Sequence, residues 1–230
     1  EPDRSYNNNG LQTFGTVTKT AVATGAELVG YSGFSSSNYL EQPYNSDLDF
    51  GTGDFCVMGW LNQTSTTTQI PFWRGHYTGT AHANVVGLVY AGSGLYLETY
   101  GSAGAGTSNT TPYAIPLNRW VQIVGVRTNG ILKIYVDGKL ISSASSSHNV
   151  SNTTNTTKIG GGTRNGLYPY LGSIALWRIS ATVPTAEQIA KIYNDEKHLF
   201  ATNAKATLYG TSDAVTALAY DDDTELLHVG

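Results

Sequence analysis

Residues 119–145 read RWVQIVGVRTNGILKIYVDGKLISSAS, three apolar runs separated by Asn129-Gly130 and Asp137-Gly138. Both dipeptides tolerate the positive φ angles that a two-residue type I′ hairpin turn requires. Val, Ile and Tyr are frequent in the runs, as is typical of β-strands. Along the middle run, apolar residues alternate with Lys133 and Tyr135, which places the two sets on opposite faces. The segment therefore predicts a three-stranded antiparallel meander with one buried face and one face in water.

Three motifs, in order along the chain, extend this prediction to the whole domain. DFCVMGW stands at 54–60, the meander runs from Trp120 to its YVDGK ending at 135–139, and LGSIALWRI follows at 171–179. Together they resemble the laminin-G-like, concanavalin A-like domain. The resemblance covers roughly residues 1–200 and implies an all-β fold, an antiparallel β-sandwich of jelly-roll type with one short helix. It implies no single function, because this fold hosts lectins, adhesion modules, enzymes and spacers.

The short helix is predicted at residues 185–198. Thr185 is a suitable N-cap, and Gln188, three residues later, completes a capping box. Ile189, Ile192 and Tyr193 have the i, i+3, i+4 spacing of a single helix face, which we expect to pack on the sandwich.

The remaining segments divide into loops and a C-terminal tail. Residues 101–111 and 145–157 are small and polar and are predicted loops. Within residues 201–230, the stretches 215–220 and 225–229 alternate like two strands around an acidic turn. We therefore expect residues 201–230 to be a β-extension or the start of a further β-module. Because the chain begins with glutamate, we also expect a processed product or a segment of a longer protein.

The composition excludes several classes of partner. The 230-residue chain has a net charge of −4 and only 13% charged residues, with no basic stripe, so we expect no nucleic-acid partner. It has no apolar stretch long enough to insert in a membrane. Cys56 is the only cysteine and lies in an apolar run, where it is expected to be a small buried residue.

No catalytic motif is found. Glycosidases need two carboxylates that flank the scissile bond, and no alternating carboxylate run of that kind occurs here. There is no Gly-x-Ser-x-Gly elbow and no His-x-x-x-His zinc pattern. The sequence therefore predicts a protein that is not an enzyme and has no catalytic residues.

Calcium is the one cofactor that the sequence leaves open. Family members often hold Ca²⁺ with an Asp in the last strand, and here Ala175 occupies that position, so the resemblance itself removes one ligand. The remaining oxygen donors that suit a hard cation are Asp3, Asp49 and Asp54.

Aromatic residues make up 11% of the chain and indicate a carbohydrate-recognition surface. Aromatic rings stack on sugar faces, while amides, hydroxyls and charged groups bind their hydroxyls. The alternative is that these rings fill the core or a subunit interface, as Trp60, Trp120 and Trp177 are expected to do. The candidate sugar-binding residues are Trp73, Arg74, His76, Tyr77, Tyr96, Tyr100, Arg164, Asn165, Tyr168 and Tyr170.

The context of the domain follows from a looser resemblance. Segments 25–43 and 226–230 resemble those of bacteriophage structural proteins that carry laminin-G-like modules. This implies a tail or virion appendage that binds host surface glycan, located on the virion surface or outside the cell. Other virion subunits, including further copies of this chain, are the expected protein partners. A purely structural spacer is the alternative function, and a glycan-degrading enzyme is the third.

Overall fold

The computed structural model describes residues 10–77, 82–92, 94–102, 104–163 and 166–204, together with the backbone of 218–221 and 226–229; for Tyr77, too, only the backbone is described. Within the first five ranges the chain forms fourteen strands, one α-helix and two short 3₁₀ segments. The strands are β1 Gln12–Phe14, β2 Thr18–Ala21, β3 Val29–Ser32, β4 Tyr39–Gln42, β5 Phe55–Gln63, β6 Gln69–Tyr77, β7 His82–Ala91, β8 Gly94–Tyr100, β9 Gly106–Thr111, β10 Trp120–Thr128, β11 Ile131–Val136, β12 Lys139–Ser145, β13 Thr157–Ile159 and β14 Gly172–Ser180.

These strands form two antiparallel sheets of seven strands each. The first sheet has the order β1-β4-β13-β6-β7-β8-β9, and the second has the order β12-β11-β10-β5-β14-β3-β2. Neighbours in space are often distant in sequence, as when β13 lies between β4 and β6. This crossing of connections between two packed sheets confirms the predicted jelly-roll sandwich.

The predicted meander is confirmed as β10-β11-β12 at one edge of the second sheet. Both turns have the expected backbone: φ is 49° at Asn129 and 73° at Gly130, then 47° at Asp137 and 76° at Gly138. β10 continues the sheet by pairing with β5, with Val124 opposite Met58. The family-like strand β5 is therefore central, which explains why both of its faces are apolar.

The main core lies between the two sheets. Both predicted core strands contribute to it, β5 through Phe55, Val57 and Leu61, and β11 through Leu132 and Ile134. These side chains are at most 1% exposed. Burial of a large aliphatic or aromatic side chain contributes roughly 1.5–3 kcal/mol, so this layer is the principal source of stability.

The predicted helix is confirmed as α1, Ala186–Glu196. Thr185 accepts from the Gln188 backbone N–H, while the Gln188 side chain accepts from the Thr185 N–H, so the capping box is present. Ile189 is buried against the outer face of the second sheet, in a cluster with Met58 and Tyr135. The expectation that this face of the meander is in water is therefore wrong at Tyr135, because the helix covers it.

Two tryptophans anchor the end of this helix region. The Trp60 ring lies 5.7 Å from Tyr193 and 4.3 Å from Phe200, and its Nε1–H donates to Glu196 at 2.7 Å. Trp120 contacts Phe200 at 4.9 Å. The expected structural role of both tryptophans is thus confirmed.

The prediction of a loop over 101–111 is wrong for its second half. Residues Gly106–Thr111 form β9, which pairs with β8 along its full length. Gly and Asn are depleted in strands, and the segment lacks alternating apolar residues, but pairing with β8 supplies the hydrogen bonds that make it a strand. β9 borders the candidate functional site.

The chain returns to the sandwich after the helix. Asn203 N–H donates to the Thr24 carbonyl, and Glu27 N–H donates to the Ala204 carbonyl. In the tail, Leu218–Asp221 and Leu226–Val229 form an antiparallel hairpin, so the prediction of two strands there is confirmed. In the part of the chain that the structure describes, no helix is both long and apolar enough to cross a membrane.

Candidate functional site

The register of the first sheet identifies which side chains point away from the core. Residues that face each other across paired strands share a face of the sheet. Five such residues, one from each of five neighbouring strands, all belong to the main core: Leu40, Ile159, Phe72, Leu88 and Leu97. The adjacent row along the same strands must therefore point outward, and it consists of Glu41, Lys158, Trp73, Gly87 and Glu98.

Trp73 forms the floor of this outer face. A Cβ added at Gly87 would lie 2.8 Å from two carbons of the indole, so the ring lies flat on the space that this glycine leaves. Val85 and Val89 flank it in the same outer cluster. The indole N–H donates to the Gly75 carbonyl at 3.2 Å. Only 2% of Trp73 is exposed, so it supports the surface from below and is not itself a stacking platform.

Tyr100 is the more exposed ring of this surface. It lies against Gly106 of β9, where an added Cβ would be 2.1 Å from its Cδ1 atom. The His82 ring lies between Tyr100, at a centroid distance of 4.4 Å, and Trp73, at 5.5 Å, and is tilted relative to both rings. Burial lowers the pKa of His82, which favours the neutral imidazole. The absence of a side chain at Gly106 thus lets an aromatic ring lie flat at the border of the sheet.

Glu98 stands between Tyr96 and Tyr100 on β8, because residues i and i±2 of a strand share a face. Ser108 of β9 donates to its Oε1 at 3.2 Å. Burial raises the pKa of Glu98, and burial followed by the charge of Glu98 raises the pKa of Tyr100. Among the ion pairs formed by the described residues, none involves Glu98. We call Trp73, His82, Tyr96, Glu98 and Tyr100 the aromatic face.

The other half of the outer row carries a second acid that lies close to a cation. Lys158 stands opposite Glu41 in the register, is 6% exposed, and places its Nζ 4.1 Å from the Tyr39 ring centre. Thr156 donates to Glu41 Oε2 at 3.0 Å. Phe14 stacks on Tyr39 at 4.8 Å. In this half, an acid and a cation therefore stand opposite each other on paired strands.

The two acids of this row are too far apart to act together in glycoside hydrolysis. Four strand spacings separate Glu41 from Glu98, which is about 19 Å at roughly 4.8 Å per strand. Hydrolysis requires carboxyl groups about 5–9.5 Å apart. The face has groups that can bind a sugar, but this pair does not form a two-carboxylate cleavage site.

The structure brings together three of the ten predicted sugar-binding residues, Trp73, Tyr96 and Tyr100. Arg74 and Tyr170 are each 1% exposed, and the expectation that they line an open loop surface is wrong because both point into the sandwich. The same correction applies to Trp73, which is covered by its neighbours. His76 is half-buried in β6, whereas Tyr168 is 48% exposed in the loop before β14. Arg164, Asn165 and the side chain of Tyr77 lie outside the described residues.

The Asp49 carboxylate does not fit a calcium ion, because protein donors already occupy both of its oxygens. Arg74 Nη2 and the Asn152 N–H donate to Oδ1 at 3.0 and 3.2 Å, and the Ser151 hydroxyl donates to Oδ2 at 2.9 Å. Arg74 also donates to the Val150 carbonyl at 3.0 Å. The side chain at the position predicted for a cation is thus the guanidinium of Arg74.

Asp54 is engaged in the same manner. Its Oδ1 accepts from the Asn129 N–H at 2.9 Å, which fixes the first turn of the meander. Next to it, Arg127 donates to the carbonyls of Gly51, Gly53 and His148, each at 2.8 Å. No group of three or more His, Cys, Asp and Glu side chains within the described ranges could hold a metal ion. Asp3, the third calcium candidate, lies outside those ranges.

Sequence reasoning missed Glu98, His82 and Ser108 as members of the site. The signal for Glu98 was present, since Tyr96, Glu98 and Tyr100 alternate along one strand. His82 and Ser108 gave no comparable signal. His82 resembled a loop histidine, and Ser108 lay in the segment predicted to be a loop.

Two clefts lie elsewhere on the molecule. One of about 630 Å³ separates α1 from β14 and has Cys56, Met58 and Ile192 among its lining residues. Burial raises the pKa of the Cys56 thiol to about 12, so this cysteine is not a nucleophile at neutral pH. A smaller cleft of about 400 Å³ lies beside Phe34 and Tyr170. Neither cleft includes a residue of the aromatic face.

A family model described as the concanavalin A-like lectin/glucanases superfamily, of laminin G type, matches residues 34–190. This match covers strands β4 to β14 and the start of the helix. The chain belongs to this superfamily. The predicted family is thereby confirmed. No curated protein matches the sequence.

Two solved structures of similar fold are described as binding domains. The binding domain of Paraclostridial Mosquitocidal Protein 1 aligns with a TM-score of 0.66 and 14% identity, over 84% of this chain and 49% of that one. The receptor binding domain of botulinum neurotoxin C/D mosaic serotype gives 0.66 and 14%, over 85% and 48%. This superfamily member thus spans about half the length of those two chains.

A third similar structure is domain 4 of AbnA, an extracellular GH43 arabinanase from Geobacillus stearothermophilus, in complex with arabinotriose. It aligns with a TM-score of 0.62 and 18% identity, over 80% of this chain and 87% of that one. At these identities the likeness establishes the fold. Two of these three neighbours are described as binding domains, and the third is a domain of an extracellular arabinanase.

Proposed function

We propose that this chain is a non-catalytic carbohydrate-binding module that recognises surface glycan through the aromatic face. The observation that carries the proposal is the grouping of Tyr96, Tyr100 and His82 around the Glu98 carboxylate on one outer face. Ring faces pack on the C–H side of a sugar, and the carboxylate with the Ser108 hydroxyl can bind its hydroxyls. The bound arabinotriose of the AbnA domain and the receptor-binding toxin domains support a binding role for this fold.

The decisive experiment is a glycan array probed with multimerised protein, followed by calorimetry on the best ligand. Tyr100→Ala is expected to weaken binding about fivefold to tenfold, since an aromatic contact contributes on the order of 1 kcal/mol. Tyr44→Ala is the matched control, because Tyr44 is 39% exposed and lies outside the aromatic face. Binding that is unchanged by Tyr100→Ala but lost in Tyr168→Ala would move the site to the rim and contradict the proposal.

The proposed setting is a virion or tail appendage outside the cell, and the looser sequence resemblance to phage structural proteins supports it. Weak single sites gain strength when many copies act on one particle. Host glycan is then the ligand, and neighbouring appendage subunits are the protein partners. Fluorescent multimers are expected to label host cells and to leave mutants that lack the surface polysaccharide unlabelled. Labelling that does not depend on the polysaccharide would contradict this setting.

A structural role is the second candidate, favoured by an exposed apolar patch at one end of the sandwich. Leu117, Leu167, Tyr168 and Leu171 are 40–48% exposed. Backbone hydrogen bonds from Thr64 to Leu171 and from Ile70 to Tyr168 bring two of them to the same end. If subunit contact is the main role, Leu171→Asp breaks an oligomer in light scattering, whereas Tyr100→Ala leaves it intact and no glycan binds.

A further inference from the structure

Glu98 is an acid in aromatic surroundings, and no cation among the described residues forms an ion pair with it. Tyr96 and Tyr100 flank it on its own strand, the Trp73 and His82 rings lie towards β6 and β7, and Ser108 donates to it from β9. Burial lowers the pKa of His82, so at neutral pH the imidazole supplies no positive charge.

The only lysine in the same row lies too far away to neutralise this carboxylate. Lys158 is three strand spacings from Glu98, about 14 Å at roughly 4.8 Å per strand, and its ammonium lies over Tyr39 next to Glu41. A half-buried carboxylate without a counter-charge carries a desolvation cost that a bound cation would remove. The aromatic rings beside it add to this preference, because ring faces attract cations.

We propose that the aromatic face selects a sugar that carries a protonated amine, a glycosamine residue, whose ammonium pairs with Glu98 while its ring packs on Tyr100. This proposal rests on the proposed glycan-binding function and adds the chemical class of the ligand. The same geometry disfavours two other classes. N-acetylation removes the positive charge, and a uronic acid would place a second carboxylate against Glu98.

The test uses three hexasaccharides with one β-1,4-linked glucose backbone that differ only at C2: cellohexaose with a hydroxyl, the chitin hexamer with an acetamide and the chitosan hexamer with an amine. Calorimetry with the whole chain is expected to show the chitosan hexamer binding about tenfold or more tightly than the other two, which corresponds to at least one well-placed charge pair. The preference is expected to shrink at high salt, because exposed charge pairs are screened.

Glu98→Gln isolates the charge and preserves the shape of the side chain. We expect it to abolish the preference for the amine, so that the variant binds the chitosan hexamer and cellohexaose with about the same affinity. Glu41→Gln is the matched control, since it removes an acid of the same row that already lies beside Lys158. Thermal melting of both variants checks that they are folded.

The outcomes separate this proposal from the proposed function. Equal loss in Glu98→Gln and Glu41→Gln would indicate general attraction of a polycation to an acidic protein and would overturn the amine proposal. Equal binding of the three hexamers, or binding only of amine-free glycans on the array, would also overturn the amine proposal. In both cases, weaker binding by Tyr100→Ala would still support the glycan-binding function. If no glycan binds, both proposals are wrong.

Discussion

Glu98 lowers the stability of the fold at neutral pH, a cost that accompanies its proposed role in binding. Burial raises its pKa above the ordinary value of 4.5, so the folded protein holds this proton more tightly than the unfolded chain. The stability contributed by the protonated form is complete below the unfolded-state pKa and is lost as pH rises through the folded-state pKa. At neutral and alkaline pH the wild-type protein therefore carries a penalty that glutamine would not.

We predict that Glu98→Gln raises the melting temperature at pH 8 and has a smaller effect at pH 4. Scanning calorimetry at the two pH values measures the difference. Glu41→Gln is expected to give no such gain, because Glu41 lies opposite Lys158. A lower melting temperature for Glu98→Gln at pH 8 would show that the carboxylate stabilises the fold, contrary to this account.

Arg127 is a buried cation with a structural role. It is 0% exposed, and its guanidinium donates to the carbonyls of Gly51, Gly53 and His148. Burial lowers its pKa, yet three carbonyl acceptors compensate for the lost hydration. This side chain thereby fixes the 49–53 loop against the 146–152 loop.

We predict that Arg127→Met lowers the free energy of unfolding by about 3 kcal/mol, because three buried carbonyls lose a charged donor. Urea denaturation measures the change. Arg119→Met is the control. Its ion pair with Asp137 involves a side chain that is 57% exposed, and its loss should cost less than about 1 kcal/mol. Similar losses of unfolding free energy in the two variants would contradict the role of Arg127 in holding the 49–53 loop against the 146–152 loop.

Among the secondary-structure elements, the two turns of the meander allow a matched comparison. Gly130 and Gly138 have nearly equal φ angles, 73° and 76°. A Cβ at Gly130 would meet only the Ser146 carbonyl oxygen at 3.7 Å, whereas one at Gly138 would lie 3.1 Å from Ala190 Cα and 3.2 Å from Tyr193 Cβ. The first turn faces open space and the second supports α1.

We predict that Gly130→Ala costs about 1–2 kcal/mol, the strain of a left-handed alanine. Gly138→Ala should cost the same strain plus about 1–3 kcal/mol for displacing the helix. Chemical denaturation of both variants gives the difference directly. Equal costs would mean that α1 moves aside freely and that its contact with this turn is not tight.

At the scale of the whole molecule, contacts after the helix extend the folded domain beyond residue 200. Phe200 packs on Trp60 and Trp120, and the Ala204 carbonyl accepts from the Glu27 N–H. The predicted domain boundary at residue 200 would cut this last connection. We therefore propose that the domain extends at least to residue 204.

We predict that a fragment of residues 1–204 melts within about 2 °C of the full chain and binds the same glycans, whereas a fragment of residues 1–183 melts at least about 10 °C lower. The shorter fragment lacks α1 and Phe200, so Met58 and Trp60 would be exposed. Calorimetry of the two fragments provides the measurement. Loss of cooperative melting in the 1–204 fragment would show that residues 205–230 belong to the domain.

The sequence by itself determined the local chemistry of this protein. The Asn-Gly and Asp-Gly turns, the alternation of β11 and the Thr185–Gln188 capping box are each specified within a few residues, so the meander, the helix and the sandwich class were predictable. The family followed from motifs that are also local. Candidate rings were predictable only as a group, because each could equally belong to the core.

Only the tertiary structure decided which of those rings share one outer face. The face of the sheet on which a side chain lies depends on the register between strands that are far apart in sequence. The bulge between Arg74 and His76, in the pairing of β6 with β7, changes that register and has no signal in the local sequence. Register placed Trp73 under the surface, turned Arg74 inward to Asp49 and set Glu98 among aromatic rings. Pairing with β8 also made a strand of Gly106–Thr111, since a hydrogen-bonded neighbour can override weak local propensity.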